Sequence, residues 1–330
     1  MKPKFSGLER SLAARALALV VTTSCSSRTE PAPLRIAINP WPGYEFLYLA
    51  AVKGFDKEEG VPLRLLEMGS LGDARRSFER GQADGLACTL IEVVQVRDRT
   101  ARSPVACLVA DFSKGADVVI APAGTRSLAD LRGKRVGCEV GSASLFLLCR
   151  GLELSKMSLS DITIVPRDQS QMGDAYRAGE IDAFVSYPPV AVTVLAEGKS
   201  AVVFSSSEIP GEIVDVVALD RAVIDRDPTI PARLRRTFDR AMQYAKEFPD
   251  DAYALMAGRE RIGVEEFRKA LDDGVALVSA DEQDQLLAPG GTVERALRFV
   301  IDTLRATGQL QGADRSRGSI LYSSRDVGRR

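Results

Sequence analysis

Two hydrophobic periods alternate along this chain. Short runs rich in Val, Ile and Leu read as strands near 34–38, 63–67, 83–87, 105–110, 116–121, 135–139, 162–165, 182–186, 201–204 and 213–219. Longer amphipathic stretches predict helices near 45–53, 71–80, 89–98, 127–131, 143–154, 169–178, 188–197, 231–247, 250–257, 264–273 and 292–306. Gly54, Gly81 and Gly179 follow helical stretches and read as C-terminal caps, where left-handed backbone favours glycine. Asp227-Pro228 and Phe248-Pro249-Asp250 mark helix boundaries. Beyond residue 220 the pattern is almost wholly helical. That stretch lacks the strands for a further lobe and is expected to pack on one already made.

One pattern occurs twice, about 100 residues apart. Residues 34–51 read LRIAINPWPGYEFLYLAA, and residues 134–151 read KRVGCEVGSASLFLLCRG. Each has a basic residue, a strand, a Gly-containing loop and an apolar helix. GDARRSFERGQADGL, within 63–86, is echoed by GDAYRAGEIDAF, within 162–184, so that residues 81–84 correspond to 179–182. βαβ units converge on similar patterns, but two matched stretches in the same order argue against coincidence. The expected fold class is α/β, with two Rossmann-like lobes and a hinge of two crossover segments. Residues 34–115 begin lobe 1, 116–212 form lobe 2, and 213–310 return to lobe 1. The crossings near 113–121 and 210–219 are the expected hinge, and the cleft between the lobes is the natural ligand site.

Composition narrows the function. With 330 residues and 45% hydrophobic content, the chain is long enough for two compact lobes. Its net charge of −1 supplies no basic excess for nucleic acid. The basic run at 233–240 reads as solvated surface. The chain has no histidine, the commonest general base and metal ligand, so neither catalysis nor a metal or other cofactor is expected. The five cysteines form no CxxC pair. Cys88, Cys107, Cys138 and Cys149 fall in apolar elements and are expected as buried, reduced thiols.

The first 25 residues have a different character. Lys2, Lys4, Arg10 and Arg15 precede the short apolar run ALALVV, at 16–21, and then Thr22-Thr23-Ser24-Cys25. The run is too short to span a bilayer and looks like a signal peptide. The Ser-Cys end resembles a bacterial lipoprotein cleavage box, with Cys25 as the lipidated residue. Thr22 departs from that box, which usually has Leu there; ordinary cleavage nearby is the alternative. Residues 26–33 (SSRTEPAP) read as a tether, and 311–330 as a tail. The expected location is the periplasm or the outer face of the cytoplasmic membrane.

Ligands in open α/β sheets bind at the carboxyl ends of strands. That rule selects Asn39, Trp41, Tyr44, Ser70, Thr89 and Asp111 in lobe 1, Glu139, Ser142, Ser144 and Tyr187 in lobe 2, and Asp215 on the returning crossing. Trp41 could stack on a planar or cationic ligand, or simply pin its loop; Tyr44 is similar. Glu45 reads as a complement to a helix dipole, and Leu47, Tyr48 and Leu49 as core. Residues 141–144, at a helix start, offer free N–H groups for an anion, unless Ser142 merely caps the helix. Asp111, Glu139 and Asp215 point the other way. Three carboxylates near one cleft would repel sulfonate or nitrate and favour an amine or a nitrogen-bearing heterocycle.

Several of these segments resemble one family. Residues 38–44 (INPWPGY), 47–50 (LYLA), 53–55 (KGF), 81–84 (GQAD), 131–137 (LRGKRVG), 178–183 (AGEIDA) and 209–215 (IPGEIVD) are similar to those of nitrate/taurine/aliphatic-sulfonate substrate-binding proteins of ABC transporters. The related binders of thiamin-pyrimidine precursors share them. The resemblance runs from Leu34 to about Gly308. It implies a type II periplasmic-binding fold, a monomer and an ABC permease as partner, but it is weak for the solute. Thiamin-pyrimidine synthases of the yeast type share the fold but rely on histidine and a cysteine-rich motif, both missing here. A ligand-sensing lipoprotein, which needs the same clamp, and an enzyme on the same fold are the alternatives.

Overall fold

The computed structural model describes residues 32–310 and 319–322. Cys25, the leader and most of the tether and tail lie outside the described residues.

The chain begins with β1 (Leu34–Ile38), α1 (Glu45–Lys53), α2 (Phe55–Glu58), β2 (Leu63–Glu67), α3 (Leu71–Glu79), β3 (Gly85–Thr89), α4 (Leu90–Arg99) and β4 (Pro104–Ser113). β5 (Val118–Pro122), β6 (Arg135–Cys138), α5 (Ala143–Leu154), β7 (Thr163–Pro166), α6 (Gln169–Arg177), β8 (Ala183–Ser186), α7 (Val190–Ala196) and β9 (Ser200–Ser205) follow. Then come β10 (Val214–Asp220), α8 (Arg221–Arg226), α9 (Ile230–Glu247), α10 (Pro249–Glu260), α11 (Val264–Gly274), β11 (Val275–Leu277), α12 (Gln283–Leu286) and α13 (Thr292–Ala306).

Two mixed sheets form two lobes. The six-stranded sheet runs β11-β4-β10-β3-β1-β2, and the five-stranded sheet runs β7-β6-β8-β5-β9. In the first, β1 is parallel to β2 and β3, and β10 lies antiparallel between β3 and β4. In the second, β6 is parallel to β7 and β8, and β5 lies antiparallel between β8 and β9. Each sheet therefore receives its inserted antiparallel strand directly after a crossing from the other. The two crossings are tied together. Ser113 Oγ lies 2.7 Å from Ser206 Oγ, which also accepts from Gly115 N at 2.7 Å.

The repeated pattern has a physical counterpart. Arg35 donates to Asp84 from its backbone N (3.0 Å), Nε (2.9 Å) and Nη2 (2.7 Å). Arg135 makes the same three bonds to Asp182, at 2.8, 3.2 and 2.8 Å. Asp84 precedes β3 and Asp182 precedes β8, and each is held by an arginine at the start of the neighbouring parallel strand, β1 or β6.

Some expectations need correction. β11 was not expected; three residues after a helix carry too little alternation, and they become a strand only by pairing with the edge of β4. The basic run at 233–240 is not all solvated. Arg235 Nε donates to Cys107 O at 2.6 Å and Arg233 Nη1 to Gly60 O at 2.6 Å, which ties α9 to the six-stranded lobe. Tyr48 is half-buried rather than core, whereas Leu47 and Leu49 are fully buried. In the tail, Ala106 N donates to Ile320 O and Tyr322 N to Ala106 O, at 2.8 and 3.0 Å. No helix among the described residues is long and apolar enough to cross a membrane.

Candidate functional site

Every candidate ligand residue within the two lobes is buried. They divide into a lobe 1 floor, a set of helix caps and a group that spans the cleft.

The floor rests on strand register. Asp215 of β10 lies opposite Asp111 of β4 on one side and Thr89 of β3 on the other. Trp41 Nε1 donates to Asp111 Oδ2 at 3.1 Å, and the Tyr44 hydroxyl donates to Asp215 Oδ1. Gly43 makes the first bond possible, because a Cβ there would sit 1.8 Å from Asp111 Oδ2. The Trp41 ring lies 6.3 Å from that of Tyr44 and meets the edge of Tyr187, from the other lobe, at 6.1 Å and 74°.

Several polar candidates are occupied as caps. Ser70 Oγ accepts from Asp73 N at 3.1 Å, and Ser142 Oγ accepts from Ser144 N at 3.2 Å. Asn39 Nδ2 donates to its neighbour Pro40 O at 3.0 Å, while Asn39 Oδ1 has no partner among the described residues. Glu45 opens α1 as expected, but it is fully buried and ion-paired with Arg259.

Three hydrogen bonds cross the cleft at helix N-termini. Leu71 N, at the start of α3, donates to Tyr187 Oη at 3.2 Å, and Gly72 N donates to Glu139 Oε1 at 3.1 Å. In the opposite direction, Ala143 N, at the start of α5, donates to Glu92 Oε1 at 2.8 Å. A Cβ on Gly72 would lie 2.7 Å from Glu139 Oε1, so the approach of that carboxylate needs glycine. Arg76 and Asp168 add an ion pair at 3.2 Å.

The Ala143 bond bears on the two readings of the helix start at 141–144. The N–H groups at 141–144 are not all free, since Glu92 covers the first of α5. Sequence reading missed Glu92, although Thr89-x-x-Glu92 is a capping box in which Glu92 Oε2 accepts from Thr89 N (2.9 Å) and Oγ1 (2.6 Å). A box of that kind is explained locally, so nothing in it announces a second oxygen reaching across a cleft. Gln169 was also missed; its Nε2 donates to Ser186 Oγ and Tyr187 O, both at 2.9 Å.

Burial governs the electrostatics. It pushes Asp111 up to about 7, against the pull of the Trp41 N–H, and Asp117 up to about 7 as well. It raises Glu139 to about 7, opposed by Ser70 and the Gly72 N–H. Asp215 is driven well above the usual carboxylate range by burial first and then by the charges of Asp111 and Asp117. Asp111 Oδ1 and Asp215 Oδ2, on neighbouring strands, are both buried without hydrogen-bond partners among the described residues. Glu139 Oε2, Gln169 Oε1 and Ser144 Oγ are buried without partners among the described residues.

The four cysteines among the described residues are buried thiols. Cys88, Cys107, Cys138 and Cys149 are free and buried; burial pushes Cys107 to about 12, Cys149 to about 11 and the other two well above the usual thiol value. Among the described residues no group of three or more His, Cys, Asp or Glu is placed to hold a metal ion.

Known proteins place this architecture. The periplasmic aliphatic sulphonate binding protein SsuA from Escherichia coli superposes with a TM-score of 0.68 at 18% identity, covering 85% of this chain and 94% of SsuA. The periplasmic nitrate-binding protein NrtA from Synechocystis PCC 6803 gives 0.71 at 12% identity, covering 86% and 83%. The desulfurization enzyme DSZB gives 0.61 at 14% identity, covering 85% and 94%, so the fold also carries an enzyme. At these identities the likeness establishes the type II periplasmic-binding fold. A curated relative from Brucella abortus (strain 2308), named as a binding protein, is 25% identical over 198 residues, which are 59% of this chain and 61% of the relative's length. The family model described as NMT1/THI5 like matches residues 41–252, more than half of the 330 residues, and the chain belongs to the NMT1/THI5-like family.

Proposed function

We propose that this protein is the solute-binding component of an ABC import system, and that its cleft takes a small solute bearing N–H donors or positive charge in preference to sulfonate or nitrate. The observation that carries the reading is the Asp111–Asp215 pair, held by Trp41 and Tyr44 and left with one unpartnered buried oxygen on each carboxyl. A cationic or N–H-bearing group can donate to those two oxygens; an anion cannot. Glu139, from the other lobe, adds a third carboxyl with an unpartnered oxygen. The aromatic rings supply faces for a planar or cationic body.

In this reading the solute lies between the lobes and the crossings at 114–117 and 206–213 act as the hinge. A membrane permease takes up the solute from the closed form. The chain works in the periplasm or on the outer face of the cytoplasmic membrane, and Cys25 is its lipid anchor. Binding is favoured over catalysis because the fold is that of the binding proteins SsuA and NrtA and the chain has no histidine to serve as a general base.

The test is a thermal-unfolding screen of the chain without residues 1–25 against polyamines, amidines, pyrimidines, amino-acid derivatives, sulfonates and nitrate. A true solute at 100 times its Kd adds about 2.7 kcal/mol. Glu139→Gln and Asp215→Asn should each weaken such a solute about tenfold, the scale of one hydrogen bond to a charged group. Undiminished affinity in both variants would sink the reading. Trp41, the single tryptophan, should report the binding through its emission.

A further inference from the structure

Both helices that point their N-termini across the cleft already have a carboxylate on them. Glu92 of lobe 1 covers α5 of lobe 2 through Ala143 N, and Glu139 of lobe 2 covers α3 of lobe 1 through Gly72 N. A helix N-terminus carries partial positive charge and unpaired N–H groups, the ordinary setting for a bound anion. Here the protein's own carboxyl groups take that place. Glu92 is the more committed of the two. It is fully buried, Thr89 N and Oγ1 hold one of its oxygens, and Ala143 N holds the other. The surroundings of α5 otherwise suit an anion. Ser144 Oγ is buried and unpartnered among the described residues. Arg75 and Arg99 of lobe 1 bring guanidinium nitrogens to within 3.4–3.7 Å of where a Cβ on Gly141 would stand.

We propose that Glu92 is a built-in anion that determines specificity: by occupying the N-terminus of α5, with Glu139 doing the same on α3, it denies anionic solutes their place in the cleft. This rests on the reading of the cleft as a solute site and deepens it by naming residues that reject the wrong class. Removing the Glu92 carboxylate uncovers Ala143 N beside Ser142, Ser144, Arg75 and Arg99, and a latent anion site opens. A smaller side chain that restores nothing to Ala143 N should open it most. Glutamine, which keeps an oxygen for that N–H but drops the charge, should open it less.

The experiment titrates methanesulfonate into the wild type, Glu92→Ala and Glu92→Gln, following the Ala143 amide by nitrogen–proton NMR and Trp41 by emission. Circular dichroism checks the fold of each variant. The expected result is a gain in methanesulfonate affinity of at least tenfold in Glu92→Ala and a smaller gain in Glu92→Gln, with the Ala143 amide shifted by the ligand in the variants only. If both variants are folded and bind methanesulfonate no more tightly than the wild type, the proposal is overturned. It is equally overturned if the wild type binds methanesulfonate at the Ala143 amide as tightly as the variants do. Should Glu92→Ala fail to fold, Glu92→Gln decides alone: a threefold gain supports the proposal and no gain overturns it. The readout needs no knowledge of the natural solute. Failure of the wild type to bind any cationic or N–H-bearing compound would count against the proposed function, a different outcome from these.

Discussion

Arg35 and Asp84 in the first lobe hold each other as Arg135 and Asp182 do in the second, and the strand orders β2-β1-β3-β10-β4 and β7-β6-β8-β5-β9 match position for position. The loops above the matched strands differ. After β1 the chain runs Asn-Pro-Trp-Pro-Gly-Tyr and carries two large aromatics onto a pair of aspartates. After β6 it runs Glu-Val-Gly-Ser-Ala-Ser and carries one carboxylate and two hydroxyls to a helix start. The sheets are alike because strand pairing and burial have few solutions. The loops diverge because neither sheet constrains their side chains, and that is where a fold acquires its ligand.

The largest expected effect is the pH dependence of the buried carboxyls around these loops. Asp111, Asp117 and Glu139 titrate near 7 in the folded chain and near 4 when unfolded. Between those values the folded chain keeps protons that the unfolded chain has released, so stability should fall as the pH rises through this window. Between pH 5 and 7 each group is worth about 2 kcal/mol. Calorimetric unfolding should show the loss. Asp111→Asn in lobe 1 and Glu139→Gln in lobe 2 should each flatten the slope, and a slope unchanged in both would contradict the assignment. A cationic solute, in turn, should bind more tightly at pH 7.5 than at 5.5 and release protons as it does.

Two glycines separate contacts within a lobe from contacts between lobes. Gly43→Ala drives a methyl into Asp111 inside one lobe, with no hinge to relieve it, and should lower stability by about 1–3 kcal/mol. Gly72→Ala pushes on Glu139 across the cleft. The lobes can part, and alanine favours the helix, so stability should change by less than about 1 kcal/mol while solute affinity drops. Denaturant unfolding beside a solute titration distinguishes the two; equal destabilisation by both would remove the distinction.

The smallest difference between the lobes is expected in the shared frame. Asp84→Ala and Asp182→Ala each remove a partly exposed ion pair and a bond to backbone N–H, and each should cost about 1 kcal/mol in thermal unfolding. Asp84, whose side chain is 26% exposed against 34% for Asp182, should cost slightly more. A several-fold difference would mean that the two lobes do not use the motif alike.

Much of the fold was legible in the chain itself. Apolar periodicity located β1 to β10 and the long helices, since a buried strand or helix face must be apolar wherever it lies in the sequence. The doubled pattern announced two similar units, and Asp84 and Asp182 could be matched before their arginine partners were seen. The strand-end rule selected residues that proved to be buried, because loop position follows from strand direction. Tertiary structure alone decided who meets whom. Asp111 and Asp215 are 104 positions apart and become neighbours only through the register of β4 and β10. Glu92 looks like a helix cap in sequence and becomes a second lobe's anion only when α5 is set against it. Periodicity reports whether a side chain is buried; which partner shares that burial, and so which charge the cleft presents, is set by packing between segments whose separation along the chain carries no signal.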